Sequence, residues 1–343
     1  MPGNFAASNP LSVIIPTYNR SGFVRECLTS LRGSGVADLE IIVSDDGSTD
    51  DTRDVVAATN SSAVYLWQPN SGTPAPVRNA GFKRSRGRYV GFLDCDDKWL
   101  PGAPAHAVEF LDRHPEVHGV FADARMGNEK EGYSSWIDFA GRAEFFALPH
   151  QEVEPGFRIL ERRAFFRRMA EINPVFLGST IIRREVFEAT GGFDTSLSGT
   201  ADWELWLRIA DRYTWAYMAE PMAVYTRHLG NMTNNVDYMY SEFVKALRSI
   251  LVKCQLSETD RRWIEQRLVV QLSNHAYLAL DRQDLKEARR RYGLAIRAGE
   301  RKPYVLALAA SCYLPVWVRN GLLRVKHNVL GRSQERAEAG GRG

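Results

Sequence analysis

A chain of 343 residues is too long for one small core and predicts two domains, or one domain with a substantial extension. Its 44% hydrophobic and 25% charged residues exclude wholesale disorder, and a net charge of +3 gives no field that would point to nucleic acid. That charge is uneven: from residue 240 onward 20 Lys/Arg face 10 Asp/Glu, so an acidic front is followed by a basic rear third.

"MPGNFAASNP" (1–10) reads as a tail, without the charged start and apolar core of a secretory signal. Short apolar runs follow at 11–16 (LSVIIP), 39–44 (LEIIVS), 63–67 (AVYLW) and 88–94 (RYVGFLD), each rich in β-branched or aromatic residues. Between the first two, Val24, Cys27, Leu28 and Leu31 recur at i, i+3, i+4 and i+7, the spacing of a one-sided helix. Strands alternating with helices predict a parallel sheet covered by helices, and such sheets bind ligands beyond the carboxyl ends of their strands.

Three of those ends are polar: "TYN" (17–19), "DDGSTDD" (45–51) and "DCDD" (94–97). Turn and cap chemistry accounts for the second by itself, through Gly47 and one of Ser48, Thr49 or Asp50. It does not account for "DCDD", which has no turn glycine and crowds several carboxylates that repel one another without a cation. All-oxygen ligation suits Mg²⁺ or Mn²⁺ holding a diphosphate. Neither a P-loop nor a G-x-G-x-x-G after a strand is present, so the phosphates would be held through the metal.

Further along, 105–114 reads as a helix, 118–126 as a strand, 127–156 as a loop, and 157–172 as a helix whose basic residues make a solvated face. "STIIRREVFEATGGFD" (179–194) reads as a strand end, a helix and a Gly-Gly stop. "TADWELWLRIADRY" (200–213) is a helix with Trp203, Trp206, Leu207 and Ala210 on one face and Asp202 at its start, where it either does chemistry or caps. From about 237 the pattern is wholly helical. One segment resembles a tetratricopeptide-type hairpin, with Ala288, Tyr292 and Ala295 at its small and aromatic positions; a single hairpin makes no solenoid, so it packs on the main domain. The last helices mix Leu, Val and Trp with Arg319, Arg324, Lys326 and Arg332, and fit an anionic membrane surface or a packed helix with a basic outer face equally well. Four scattered cysteines, with no C-x-x-C, predict neither disulfide framework nor zinc site.

"VIIPTYNR", "IIVSDDGSTDD", "VRNAGFKRSRGRYVGFLDCDDKWLP" and "GGFDTSLSGTADWELWLR", in that order, resemble glycosyltransferase family 2, the inverting enzymes of the GT-A fold, over about residues 10–235. The resemblance implies an α/β GT-A nucleotide-diphospho-sugar transferase fold, Rossmann-like with a mostly parallel sheet, at 11–235. A helical extension at 236–332 and a disordered tail at 333–343 complete the expected organisation. It implies a nucleotide site at Pro16, Thr17, Tyr18, Asn19, Asp46, Arg78, Asp94 and Cys95, with Asp46 accepting from uracil N3. Asp94 and Asp96 match the family's D-x-D, Asp96 being the direct ligand of Mn²⁺ or Mg²⁺; His228 joins the metal set, and Asp202 matches the catalytic base. Cys95 itself lies between two ligands and reads as a small buried residue rather than a nucleophile. Trp203 and Trp206 make an acceptor wall or simply pack. The sequence departs from the family at Tyr225-Thr226-Arg227-His228, where the arginine has moved by one position from the usual Tyr-Arg-x-His.

The implied function is transfer of a sugar from a nucleoside-diphosphate donor, UDP before dTDP, to a hydroxyl of a glycan or lipid-linked acceptor by single displacement. The setting is cytoplasmic, at the inner face of the cell membrane if the basic helices dock there. Two alternatives are a catalytically silent nucleotide- or glycan-binding subunit of the same fold and a sugar-phosphate nucleotidyltransferase. Intact Asp96 and Asp202 weigh against the first, and the missing glycine-rich, lysine-containing opening against the second.

Overall fold

The computed structural model describes residues 10–314 apart from 129, 131 and 229. The first part alternates: β1 (Leu11–Thr17), α1 (Ser21–Ser30), β2 (Glu40–Asp45), α2 (Thr52–Thr59), β3 (Val64–Trp67), α3 (Pro74–Arg84) and β4 (Tyr89–Phe92). Every residue of β1, β2 and β4 is buried, which is why these strands are continuous apolar runs rather than alternating ones. The helix expected after β1 buries Val24, Cys27 and Leu28. Pro16 lacks an N–H, and β1 tolerates it because pairing with β4 has already stopped at Ile14↔Phe92. Gly81 lets α3 sit directly on the sheet: a Cβ there would collide with Ser44 Oγ and Ile14 Cγ2.

Next come β5 (Lys98–Trp99), α4 (Ala103–Arg113), β6 (Gly119–Asn128), β7 (Gly132–Ser135), α5 (Trp136–Phe139), α6 (Arg142–Phe146), β8 (His150–Glu154), β9 (Phe157–Leu160), α7 (Arg162–Glu171), β10 (Thr180–Arg183), α8 (Arg184–Thr190), α9 (Ala201–Arg212) and β11 (Trp215–Thr226). The main path of the sheet runs β3-β2-β1-β4-β10-β6-β11-β9-β8. β10 is antiparallel to both β4 and β6, so β3, β2, β1, β4, β6 and β11 all point the same way.

Three expectations are corrected here. The stretch 127–156 is not a loop but carries β7, two short helices and β8; β8 is a largely exposed edge strand whose polar "HQEVE" gives no apolar signal. The helix expected at 157–172 begins only at Arg162, because "FRIL" pairs with β11 through Ile159↔Ala216 and Phe157↔Met218. Glu161 separates the two, its carboxylate capping α7 at the N–H groups of Arg163 and Ala164. The basic face of α7 is also not simply solvated: Arg163 pairs with Asp211 and Arg167 with Asp260, both carboxylates buried.

Then follow α10 (Val236–Lys253), α11 (Glu258–Asp281), α12 (Leu285–Arg297) and α13 (Pro303–Ser311). Leu247 and Ile250 of α10 and Ile264 and Leu272 of α11 share one hydrophobic cluster with Phe165, Met169 and Trp203, so these helices are fused to the α/β part of the chain by burial of apolar surface. Ala288, Tyr292 and Ala295 of the hairpin are all buried. No described helix is long and apolar enough to cross a membrane. The expectations for 315–343 lie outside the described residues.

Candidate active site

β1 and β2 end side by side, with Thr17 paired to Asp45. The two aspartates that follow divide the work. Asp45 is consumed structurally: one oxygen accepts from Ser48 N at 2.6 Å and the other from Tyr65 Oη. Asp46, also buried, gathers Ser71 N (2.9 Å), Ser71 Oγ (2.8 Å) and Gln68 Nε2 (3.2 Å) on Oδ1 alone, and no described residue hydrogen-bonds its Oδ2. Gly47 follows at φ 89°, where any Cβ would lie 2.8 Å from Asn70 N. Asn19, itself at φ 50°, accepts Thr49 N on its side-chain Oδ1 at 2.7 Å and donates its backbone N–H to Ser48 Oγ at 2.8 Å, so this one residue staples the two loops. Thr17 is buried and Tyr18 is 47% exposed at the rim.

The carboxylates after β4 each have a different counterpart. Asp94 takes the guanidinium of Arg78, a buried residue of α3. Asp96 Oδ2 meets His228 Nε2 at 2.9 Å and the guanidinium of Arg20. Asp97 is buried and accepts Thr226 N at 3.0 Å, tying this loop to the end of β11; burial, then the charges of Asp96 and Asp94, raise its pKa well above the carboxylate range. Cys95 is buried, and burial pushes its thiol up to about 12, which removes it as a nucleophile at neutral pH. His228 is held by Phe23, stacked at 4.9 Å, and by Asn231, whose Oδ1 accepts its backbone N–H at 2.6 Å. Arg227 instead turns its guanidinium to Met126 Sδ at 3.2 Å.

Among the described residues no group of three His, Cys, Asp or Glu side chains converges as a metal-binding cluster. Asp96 and His228 do converge as a pair, an oxygen and a nitrogen donor of the kind Mn²⁺ accepts, with Asp94 two residues away. A pair fits a cation whose remaining ligands come from water and phosphate oxygens.

The third edge is the loop into α9. Gly191, in the left-handed region, ends α8, and Asn79 grips Phe193 by both backbone groups, at 2.8 and 3.0 Å. Arg78 stacks over the Phe193 ring at 5.4 Å, so the adjacent Arg78 and Asn79 join α3 to this loop. Arg208, paired with buried Glu204, reaches back to Gly192 O at 2.6 Å. Asp202 is the second residue of α9, half-buried, while the cap position belongs to Thr200. No side-chain hydrogen bond holds the Asp202 carboxyl; burial raises its pKa and the nearby Arg78 pulls it back.

Trp203 and Trp206 form no acceptor wall. Trp203 is 3% exposed, donates to Met169 O at 2.7 Å and packs edge-on against Phe243, and Trp206 is fully buried against Trp215. Beside the loop lies a cavity of about 680 Å³ lined by Asn231, Met232, Asn235, Tyr238 and Arg282.

Several partners escaped the sequence reading. Arg20 stands inside the quoted "VIIPTYNR" and could have been found there. Ser71 and Glu242 carry no local signal. Glu242 of α10 is buried, accepts Ser198 N at 2.7 Å and Gly199 N at 3.2 Å, and takes the Thr200 hydroxyl on its backbone carbonyl at 3.2 Å. Three consecutive residues before α9 thus hang on one residue of the helical extension.

Residues 12–191 match the model of the family described as glycosyl transferase family 2, and 159–273 that of glycosyltransferase like family 2. An uncharacterized glycosyltransferase of Rickettsia prowazekii is 24% identical over 271 residues, which are 78% of this chain and 77% of that one. The GalNAc(5)-diNAcBac-PP-undecaprenol beta-1,3-glucosyltransferase of Campylobacter jejuni is 40% identical over 129 residues, 36% of this chain and 42% of the relative. Among solved structures, S. aureus TarS in complex with UDP-GlcNAc has a TM-score of 0.61 at 22% identity, covering 88% of this chain and 84% of that one. Mannosyltransferase PcManGT from Pyrobaculum calidifontis, in complex with GDP-Man and Mn²⁺, has a TM-score of 0.54 at 19% identity, covering 93% and 85%. The GT-A fold expected from the motifs is the fold these structures share with the chain.

Proposed function

The chain belongs to glycosyltransferase family 2, and on that premise we propose that it is a metal-dependent inverting enzyme moving sugar from a UDP-sugar to a hydroxyl of a glycan or lipid-linked acceptor. One observation carries this reading: the parallel strands β1, β2 and β4 end side by side and bring Asp46, the Asp94–Arg78 pair and the Asp96–His228 pair to one edge of the sheet. UDP-GlcNAc in TarS and the lipid-pyrophosphate name of the Campylobacter relative support the donor and acceptor classes. The catalytic domain is 11–235, and the helices from 236 onward complete it.

Tyr18 and Thr17 line the base, and the open oxygen of Asp46 accepts the N3–H of uracil. Arg78 faces the phosphates. Asp96 and His228, with Asp94 beside them, would hold a divalent cation, which would supply positive charge to the departing nucleoside diphosphate. Asp202 takes the proton of the acceptor hydroxyl as its oxygen attacks the anomeric carbon; the bond to the diphosphate oxygen breaks on the opposite face, and the anomeric centre inverts. With both tryptophans in the core, the acceptor enters by the cavity at Asn231 and Tyr238.

The test is a thermal-shift screen of UDP, dTDP, GDP and CDP, each with Mn²⁺, Mg²⁺ or a chelator, followed by sugar-nucleotide hydrolysis. A metal-dependent rise with UDP is expected; tight nucleotide binding without hydrolysis or transfer would instead make the chain a binding subunit. Asp46→Asn turns an acceptor into a donor facing N3–H. It should weaken UDP by ~10- to 100-fold, the cost of one mismatched buried polar contact, while CDP, whose N3 accepts, gains on UDP. Unchanged discrimination would remove Asp46 from base recognition.

Glu242→Ala strands the N–H groups of Ser198 and Gly199 and should lower kcat with donor affinity unchanged, whereas Glu242→Gln, still an acceptor, restores turnover. Equal losses in kcat and donor binding, or no rescue by Gln, would reduce Glu242 to general stability.

A further inference from the structure

The cavity at Asn231 and Tyr238 borders both the cation pair and the loop that carries Asp202. Asn231 accepts the backbone N–H of His228 and places its amide nitrogen 3.4 Å from the imidazole. Tyr238 and Met232 close on Gly199, where a Cβ would stand 3.1 Å from the Tyr238 ring and 3.5 Å from Met232 Sδ. Gly199 is three residues before Asp202. A group seated in the cavity is therefore part of a molecule that reaches the start of α9.

The charge of the cavity is one-sided. Among the described residues that line it, Arg282 at the end of α11 is the one charged group; amides and a phenol supply the other polar atoms, and no acid is present. Arg282 is 55% exposed, and its ion-pair partner Asp237 lies 3.8 Å away. Asp237 is already engaged: Arg291 of α12 takes its two oxygens at 2.6 and 3.2 Å, and His275 Nε2 stands 3.4 Å off. The neighbouring acid, Glu287, is shared by Arg290 and Arg291. In this ion-pair group two carboxylates answer three guanidinium groups, and the loosest contact belongs to Arg282, the member that lines the cavity. The first turn of α10, with Asn235 as its cap, opens on the same space and adds the positive end of the helix dipole. An arginine fork donates to two phosphate oxygens at once. Met232 and Val236 offer apolar contact beside it.

We infer that this cavity is a subsite for a phosphate group carried by the acceptor, with Arg282 as its anchor, so that the hydroxyl presented to Asp202 belongs to a phosphate-bearing molecule and not to a neutral glycan. The link to transfer rests on the reading of Asp202 as the base; phosphate binding at Arg282 is tested by itself. Such a phosphate comes from a phosphodiester between polyols or from a prenyl diphosphate, and two probes separate these sources.

The experiment is calorimetric titration of the full chain, its donor site filled with UDP and Mn²⁺, with glycerophosphoglycerol, farnesyl diphosphate, glucuronate and glycerol. A phosphate probe should bind about tenfold or more tightly than glycerol and glucuronate, and the tighter of the two names the source. Arg282→Ala should weaken that binding by about tenfold or more, and Arg282→Glu should abolish it, both at the parent's melting temperature because the side chain is largely exposed. Phosphate probes that bind no better than glycerol or glucuronate, or that bind both variants as they bind the parent, overturn the inference. So does binding that disappears once UDP fills the donor site. A chain without a UDP-induced melting shift loses the donor reading alone, and the same titration without nucleotide then decides the phosphate site.

Discussion

Asp202→Asn is expected to bind donor nucleotide as the unsubstituted chain does and to transfer sugar about 10³-fold more slowly, within the range that a positioned general base contributes. Asn is isosteric and changes only charge and basicity. The Arg78–Asp94 pair stays, and the cap of α9 is untouched because that position is Thr200. The substitution should not cost stability. Burial raises the pKa of Asp202 in the native state, so the folded protein holds this proton more tightly than the unfolded one, and stability falls as pH rises through the interval between the two values. The Asn variant escapes that loss and should melt at the same temperature as the parent or higher at neutral pH. The same shift sets the acid limb of kcat/KM above the ordinary aspartate value, and the limb should vanish with the variant's residual rate. Steady-state turnover alongside UDP-induced melting shifts checks both halves. Full turnover in Asp202→Asn would transfer the base role elsewhere, and loss of UDP binding would make Asp202 part of the donor site instead.

The parts of the fold that could be read from the sequence are those whose burial leaves a mark on neighbouring residues. β1, β2 and β4 are buried on both faces and must be apolar runs; α1 is buried on one face and must show the helical repeat. β8 has almost no buried surface, and β9 is four residues whose apolar pattern serves a helix equally well until the partner strand is known. The antiparallel insertion of β10 between β4 and β6 depends on contacts far apart in sequence, which no local window contains. Trp203 and Trp206 mislead for a related reason. A helix with apolar residues on one face suggests an outer face open to ligands, but α9 is roofed by α10 and nearly all of it is buried.

At the site, the charge argument about "DCDD" pointed to a cation, and the chain itself supplies three kinds of compensation. Arg78 serves Asp94, Arg20 and His228 serve Asp96, and the Thr226 N–H serves Asp97. Arg78 and His228 were legible as members of a motif. Asp46 was legible in the same way, but the structural task of Asp45 was not, because it turns on Tyr65, whose side chain reaches the loop only after β3 has paired with β2.

Asp96→Ala separates the cation's contribution from that of the protein's own charges. The variant removes the oxygen shared by His228 and Arg20, leaving two nitrogen groups without their acid. UDP should then give a melting shift that no longer responds to Mn²⁺ or Mg²⁺, and turnover should fall by about 10²-fold or more, since Lewis-acid stabilisation of a leaving group is worth several kcal/mol. A purely electrostatic role would look different. The carboxylate repels a diphosphate, so without a metal its removal would tighten UDP through Arg20, and chelator would leave that gain intact. A second variant distinguishes the two: Arg20 holds the carboxylate oxygen that a divalent cation at Asp96 would need, so Arg20→Ala should raise Mn²⁺ affinity in the absence of nucleotide, read by titration of Mn²⁺ relaxation. If Arg20→Ala leaves Mn²⁺ binding unchanged while Asp96→Ala keeps its metal-dependent shift, the cation sits away from Asp96, and the carboxylate's task is to hold Arg20 and His228 against the loop.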